Sequence, residues 1–227
     1  MGLRVLRWAA LSIVLTAGLA VSACGSPAGS KSAAQIVPEL QNAANLATSV
    51  HVAGSLIQGS QTATIDITIN GDSVAGYLGA HGTRFYVLSL NGQNYVRLNA
   101  AFLNVEKAPA SLCARICGKY VELPAASGTQ ITSLLSMQQL NKEIFDTSTM
   151  SALTSSGCTF SPAARAGQSV LECRQGQYTL DVTGHGQPYL VYWGGPNGQH
   201  LAFSQWNSAE LPSAPPASQV VSLSSLG

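Results

Sequence analysis

Thr64-Ile65-Asp66-Ile67-Thr68-Ile69-Asn70-Gly71 is the most regular stretch of this chain. Three isoleucines alternate with Thr64, Asp66 and Thr68, so one face of a strand is apolar and the other polar. Asn70-Gly71 ends the run with two residues that accept positive φ, the signal of a tight hairpin. Just upstream, Val50, Val52 and Leu56 alternate with His51, Ala53 and Ser55, which predicts the partner strand. Downstream, strands are expected near 73–79, 84–90 and 93–98, separated by His81-Gly82 and Asn91-Gly92. Five consecutive strands joined by turns of two to four residues make an up-and-down antiparallel meander.

Between Asn99 and Ser156 the period of two disappears. Helices are expected around 129–136 and 137–147, bracketing a loop at Cys113–Cys117 and a short strand near 119–123. Strands return at 168–174, 177–183, 188–194 and 199–206, linked by Gly176, Gly184-His185-Gly186 and Pro196-Asn197-Gly198. The Pro/Ser/Ala-rich tail from Glu210 is expected to run extended over the surface. Ahead of the meander an amphipathic helix is expected to begin near Pro38, with Leu40, Ala43, Ala44 and Ala47 on one face. About ten antiparallel strands accumulate right-handed twist and curl. The expected class is therefore α+β: a strongly curved antiparallel half-barrel whose concave face the helices cover.

Toward the N-terminus, Arg4 and Arg7 precede the apolar run Trp8–Ala20, which is shorter than the roughly 20 residues a bilayer span takes. Val21-Ser22-Ala23-Cys24 follows and resembles a lipoprotein export signal, with Cys24 as acceptor of a diacylglyceryl thioether. The expected organisation is a signal peptide over 1–23, a lipidated N-terminus and flexible tether over 24–34, and one domain over 35–227. Removing residues 1–23 from the 227-residue chain leaves 204, and the formal charge falls from +1 to −1 because both lost charges are positive. Only 9% of residues are charged, against about 25% in ordinary globular domains. No Lys/Arg run survives, which argues against a nucleic-acid partner. The membrane, through Cys24, is the first expected partner.

With Cys24 assigned to lipid, Cys113, Cys117, Cys158 and Cys173 remain. Four cysteines in an exported chain read as two disulfides with three connectivities. Cys113–Cys117 within one loop and Cys158–Cys173 across neighbouring strands is the favoured pairing. Neither pair has a histidine at ligand spacing, so no metal is expected, and the redox spacing Cys-x-x-Cys is absent.

No cofactor motif and no catalytic constellation stands out: there is no Gly-x-Ser-x-Gly elbow, Ser-x-x-Lys, His-Glu-x-x-His or phosphate loop. His51, His81, His185 and His200 lie beside turns or on the polar side of strands. Glu143 and Asp146, three apart on a helix, read as a solvated face. The informative residues are apolar. An inward face carries Val52, Leu56, Ile65, Ile67, Ile69, Phe85 and Val87, and it continues in Leu180, Val182, Leu190, Leu201 and Phe203. Such a face is the core of any antiparallel protein. It closes over solid side chains, or, with Gly54, Ala63 and Gly76 leaving room, over a cavity.

Several short stretches carry a family resemblance. Thr48-Ser49-Val50-His51-Val52-Ala53-Gly54 opens the first strand; Arg84-Phe85-Tyr86-Val87 pairs with Gly92-Gln93-Asn94-Tyr95-Val96-Arg97; Phe203-Ser204-Gln205-Trp206-Asn207 is followed by Pro215-Pro216-Ala217-Ser218-Gln219-Val220-Val221. With the lipobox and tether, these resemble the LppX/LprG lipoprotein family of mycobacteria and their relatives. The resemblance implies a half-barrel with helices across its concave side, an apolar cavity between them, and binding of an acylated lipid or glycolipid during envelope transport. It implies no enzymatic activity, and an envelope transporter becomes a candidate partner. The four cysteines beyond Cys24 and the low charge depart from that pattern. The competing class is an interaction protein with a filled core, displaying aromatics such as Tyr192, Trp193 and Trp206.

Overall fold

The computed structural model describes residues 29–58, 61–124, 135–145 and 148–223. The signal peptide, Cys24 and most of the expected 129–136 helix lie outside them. The strands are β1 (Lys31–Ser32), β2 (Ser49–Gln58), β3 (Gln61–Asn70), β4 (Ser73–Ala80), β5 (Thr83–Leu90), β6 (Gln93–Arg97), β7 (Tyr120–Glu122), β8 (Thr159–Arg165), β9 (Gln168–Gln175), β10 (Tyr178–Thr183), β11 (Leu190–Gly194), β12 (His200–Ser204) and β13 (Val220–Ser222). The helices are α1 (Ala33–Leu46), α2 (Ala100–Val105), α3 (Ala110–Ile116), α4 (Met137–Phe145) and α5 (Ser148–Ser155).

All the strands belong to one curved, unclosed sheet in the order β1-β8-β9-β10-β11-β12-β2-β3-β4-β5-β6-β7-β13. Every pairing is antiparallel except β13 on β7. The sheet has 13 strands rather than about ten. The additions are two short edge pieces, β1 and β13, and β8, whose sequence Thr-Phe-Ser-Pro-Ala-Ala-Arg has one large apolar residue and a proline near its middle. Proline withholds a ladder donor and belongs near sheet edges, and β8 is covered on one side only by the two-residue β1.

Cross-strand register puts the expected inward residues in rows. One row runs Phe203–Val52–Ile67–Gly76–Val87–Val96–Val121, and the next runs Leu180–Trp193–Leu201–Gly54–Ile65–Leu78–Phe85. Gly54 and Gly76 flank β3 on these rows, with φ of 157° and 147°. A Cβ on Gly76 would stand 2.2 Å from Asp66 O, and one on Gly54 would stand 2.1 Å from His200 O. Glycine at both places lets the neighbouring backbones close in and the sheet bend.

The helices pack on that inner face. Ile36, Leu40, Ile144, Met150 and Leu153 from α1, α4 and α5 join Val50, Val52, Ile67, Ile69 and Phe203 in the main core. Leu103 of α2 and Ile116 of α3 join Val87, Val96 and Val121 in a second cluster. The tail crosses the outer face, where Leu211 and Val220 pack against Ala75, Leu88 and Tyr95. It is therefore more than a surface strap, since it ends as the edge strand β13.

Two local expectations are corrected. α1 starts at Ala33, five residues before Pro38. The Gln35 side-chain oxygen accepts from the Ser32 backbone N–H at 3.0 Å and from its hydroxyl at 3.1 Å, which fixes the first turn. Proline then stands inside the helix instead of opening it. Cys113 and most of the segment to Cys117 belong to α3, not to a loop. The i, i+4 spacing read as a tight loop is also one helical turn.

Candidate functional site

A cavity of about 270 Å³ lies between the inner face and α4. Val52, Leu56, Ile65, Ile67, Ile69 and Leu201 form its sheet wall, and Leu135, Leu140, Ile144 and Trp193 complete it. Among the described residues no charged or hydroxyl side chain lines it. Such a wall offers water few of the two to four polar partners it needs.

Six of the twelve sequence-predicted lining residues therefore meet in the cavity wall, and six do not. Leu180, Val182, Leu190 and Phe203 face inward but are buried within the main core. Side chains of α1 and α5, together with Phe160 of β8, fill that part of the sheet's hollow. Val87 is buried in the second cluster, under α2 and α3. Phe85 is half-buried, its ring 4.9 Å from that of Phe102 in α2.

Four wall residues were not anticipated. Leu140 and Ile144 occur at helical spacing on α4 and fall on one side of it. Trp193, an exposed aromatic in the competing interaction-protein reading, faces inward opposite Leu180, and the β10–β11 register shifts between Asp181 and Val182. The irregularity puts both Leu190 and Trp193 inside, although strict alternation would separate them. Trp206 is likewise tied in, donating its indole N–H to Leu190 O at 2.7 Å and stacking on Tyr189. Tyr192 points outward, with the Arg165 guanidinium 3.7 Å above its ring.

Polar groups surround the cavity without entering it. On the α1 side of α4, Asn141 donates to Ala44 O at 2.9 Å, and Asn45, Gln138 and Asn70 share a polar groove with it. On the outer face His51 stands between Ser204, 3.2 Å from Nδ1, and Asp66, 3.0 Å from Nε2. Asp66 is more than half exposed and the three residues span neighbouring strands on the sheet's outer surface. No described cavity adjoins them, so the trio ties β12, β2 and β3 together in water. His200 contacts Gly198 O through Nδ1 at 3.1 Å and stacks on Tyr192.

Asp181 is the one fully buried carboxylate among the described residues. It accepts from Arg165 Nε, and Arg165 lies 3.7 Å from Glu172. Burial pushes the Asp181 carboxyl above the usual range, while Arg165 pulls it back. The hydrogen bond from Arg174 holds Glu172 below its ordinary value. This network is on the outer face, opposite Leu180 and Val182, and braces β8, β9 and β10. Both disulfides form as paired above, Cys113–Cys117 and Cys158–Cys173. Among the described residues no cluster of His, Cys, Asp or Glu could hold a metal ion, and no helix is long and apolar enough to cross a membrane.

The architecture has counterparts among solved structures. LprF from Mycobacterium bovis superposes with a TM-score of 0.50 at 15% identity, over 81% of this chain and 96% of that one. The chain has the LppX/LprG fold. The Mycobacterium tuberculosis lipoprotein LppX is also matched, with a TM-score of 0.44 at 14% identity, over 79% of this chain and 97% of that one. No family model and no curated protein sequence matches. Within the LppX/LprG fold this chain places its described apolar cavity between β2, β3 and β12 on one side and α4 on the other.

Proposed function

We propose that this chain is an envelope lipoprotein, anchored through a diacylated Cys24 on the extracytoplasmic face of the cell membrane, that holds an acylated lipid or glycolipid and carries or presents it. The apolar side chains that the described residues set around the cavity under α4 are the observation that carries this reading. With each carbon taken as about the size of a water, roughly 30 Å³, a 270 Å³ cavity takes on the order of nine carbons. Burying nine methylenes gives a gross gain of about 7 kcal/mol before ordering costs. Such a site selects for chain volume and leaves the headgroup outside. It takes one medium acyl chain or the end of a longer one, and α4 must shift to admit more.

The chain acts in this reading as a binder and not as an enzyme. An envelope transporter is the partner that would receive or deliver its cargo. Two acyl chains on Cys24 suffice for stable anchoring, so transfer takes place at the membrane.

Native mass spectrometry of the exported protein, followed by lipid extraction, tests the reading. Adducts of one or two acylated species that leave only on denaturation are expected. A bare mass that persists after incubation with envelope lipids would shift the function to protein–protein interaction over a filled core.

A further inference from the structure

Charge is distributed unevenly along this nearly neutral chain. Residues 83–119 hold Arg84, Arg97, Lys107, Arg115 and Lys119 against Glu106 alone, a net of +4. The rest of the chain from Cys24 onward holds four basic and nine acidic residues, a net of −5. No run of like charges announces this, because the five cations are spread over 36 positions.

The fold brings them to one end of β5, β6 and β7: Lys107, Arg115 and Lys119 belong to the α2–α3 segment and its exit, and Arg84 and Arg97 are on the outer face, stacked on Tyr77 and on Tyr86 and Tyr120. Asn99 donates its side-chain amide to Arg84 O at 2.8 Å, and the Gly118 N–H reaches Leu98 O at 3.3 Å. The Arg97 guanidinium lies 5.3 Å from the Tyr120 ring centre, next to Lys119. Arg115 is in the last turn of α3, and Lys107 stands in the link between α2 and α3. Among the described residues, Arg84, Arg97, Lys107 and Lys119 pair with no carboxylate.

Beside Lys107, Arg115 and Lys119, α2 and α3 expose apolar side chains. Val105 is 43% exposed, one of three large apolar residues so exposed in the described chain. Ala100, Ala101, Pro109, Ala110 and Ala114 are also exposed, while Leu103 and Ile116 fasten the pair to the sheet. Cations beside exposed apolar side chains on short surface helices match the boundary between headgroups and acyl chains. They do not match a nucleic-acid groove, where exposed alanine and valine would meet only water and phosphate.

We propose that α2, α3 and the segment that leads from them to Lys119 form a docking surface for an anionic bilayer. α2 packs through Phe102 on Phe85, which shares a cross-strand row with Ile65 and Leu201 of the cavity wall. Docking by this face therefore sets the flank of the cavity against the membrane. The proposal does not depend on what the cavity holds.

Amide hydrogen exchange of the full exported protein on phosphatidylcholine vesicles, with and without phosphatidylglycerol, tests it. An acylated Cys24 keeps the chain on either vesicle, so the comparison isolates the face. Residues 100–119 are expected to exchange at least fivefold more slowly on the anionic vesicles. Each basic residue near such a surface contributes about a fivefold factor. The protection should vanish in the combined Lys107→Glu, Arg115→Glu, Lys119→Glu variant. In the unaltered protein it should vanish in about 1 M salt, where the screening length falls to roughly 3 Å. Equal exchange on both vesicles, or equal protection by a short DNA duplex, would overturn the proposal. Cavity loading is read separately, as protection of β2, β3 and α4 independent of headgroup charge.

Discussion

Asn141 of α4 donates its side-chain amide to the carbonyl oxygen of Ala44, in the last turn of α1, at 2.9 Å. That carbonyl also accepts the Ala47 N–H at 3.3 Å, so the Asn141 amide uses its second lone pair and, with a further bond to Asn45 Oδ1 at 3.4 Å, ties α4 to the end of α1 over the cavity. The Asn141 carbonyl oxygen is buried with no partner among the described residues, so the side chain is held for the bonds it donates. Asn141→Ala should cost about 1 kcal/mol, lowering Tm by roughly 2–4 °C in a domain of this size. Lipid release from the loaded protein should quicken. Asn141→Leu removes the orphan acceptor as well, and should restore part of the stability while release stays fast. Thermal unfolding and release of a fluorescent fatty acid read the two effects separately; a variant that loosens neither would show that α4 is held by its apolar side alone.

The cavity wall offers a sharper separation of binding from folding. Ile65 is half-buried and packs at the margin of the main core, and empty volume lies in front of it. Ile65→Trp fills that space. Cavity-filling changes commonly add about 0.5–2 kcal/mol, so Tm should hold or rise while lipid recovered with the protein falls at least tenfold. Undiminished lipid would place the ligand elsewhere on the molecule.

How far the sequence discloses this site depends on which contacts are local. The β3 isoleucines were legible because one face of that strand meets water, and period two then names the buried residues. The same pattern marks Leu180, Val182 and Phe203 as inward, correctly, but says nothing of what lies opposite. α1, α5 and Phe160 fill their part of the hollow, and among the described helices the space lies under α4. Those helices come from distant parts of the chain, so occupancy is a tertiary property. α2, with six residues, is too short to show a period. That Leu190 and Trp193 both face inward depends on a register shift that no alternation rule contains.

Gly76 should be among the least tolerant positions of the sheet. Its φ of 147° and the 2.2 Å approach of a virtual Cβ to Asp66 O leave alanine no relaxed position. Gly76→Ala is expected to cost about 1–3 kcal/mol in backbone strain, with a Tm lower by roughly 3–10 °C. Gly71, in the hairpin turn with nothing near its virtual Cβ, should lose about 1 kcal/mol from its positive φ alone. Similar losses at both positions would mean that the crowding at Gly76 relaxes freely.

The two disulfides should differ in weight. Cys158–Cys173 closes a 15-residue separation inside the main core, and Cys113–Cys117 closes only four on a partly exposed helix. Restricting the unfolded chain over 15 residues is worth about 3 kcal/mol, and over four about 2. Removing Cys158–Cys173 also opens a gap beside Phe160 and Leu180 that large-to-small core changes make costly. Pairwise replacement by alanine, followed by urea unfolding, should therefore show the larger loss at 158 and 173. An equal or reversed order would indicate that α3 relies on its crosslink for packing against β5–β7.

The outer-face ion network gives the stability curve its pH dependence. Burial raises the Asp181 carboxyl, with the Arg165 hydrogen bond opposing it. The folded state thus holds that proton more tightly than the unfolded chain does. Its contribution is most favourable below the ordinary aspartate value of about 3.9 and declines as pH rises through the elevated one. Glu172 behaves in the opposite sense, because the Arg174 hydrogen bond depresses it. Its contribution is present above the ordinary glutamate range and disappears as pH falls through the depressed value. The sign separates the two by mutation. Asp181→Asn should gain stability relative to the parent as pH rises from about 4 toward neutrality, while Arg165 keeps Glu172 and the Tyr192 ring as partners. Glu172→Gln should be weaker than the parent at neutral pH and converge with it in acid. Chemical denaturation at a series of pH values measures both differences, and curves parallel to the parent's for Asp181→Asn would show that Arg165 neutralises the carboxylate completely.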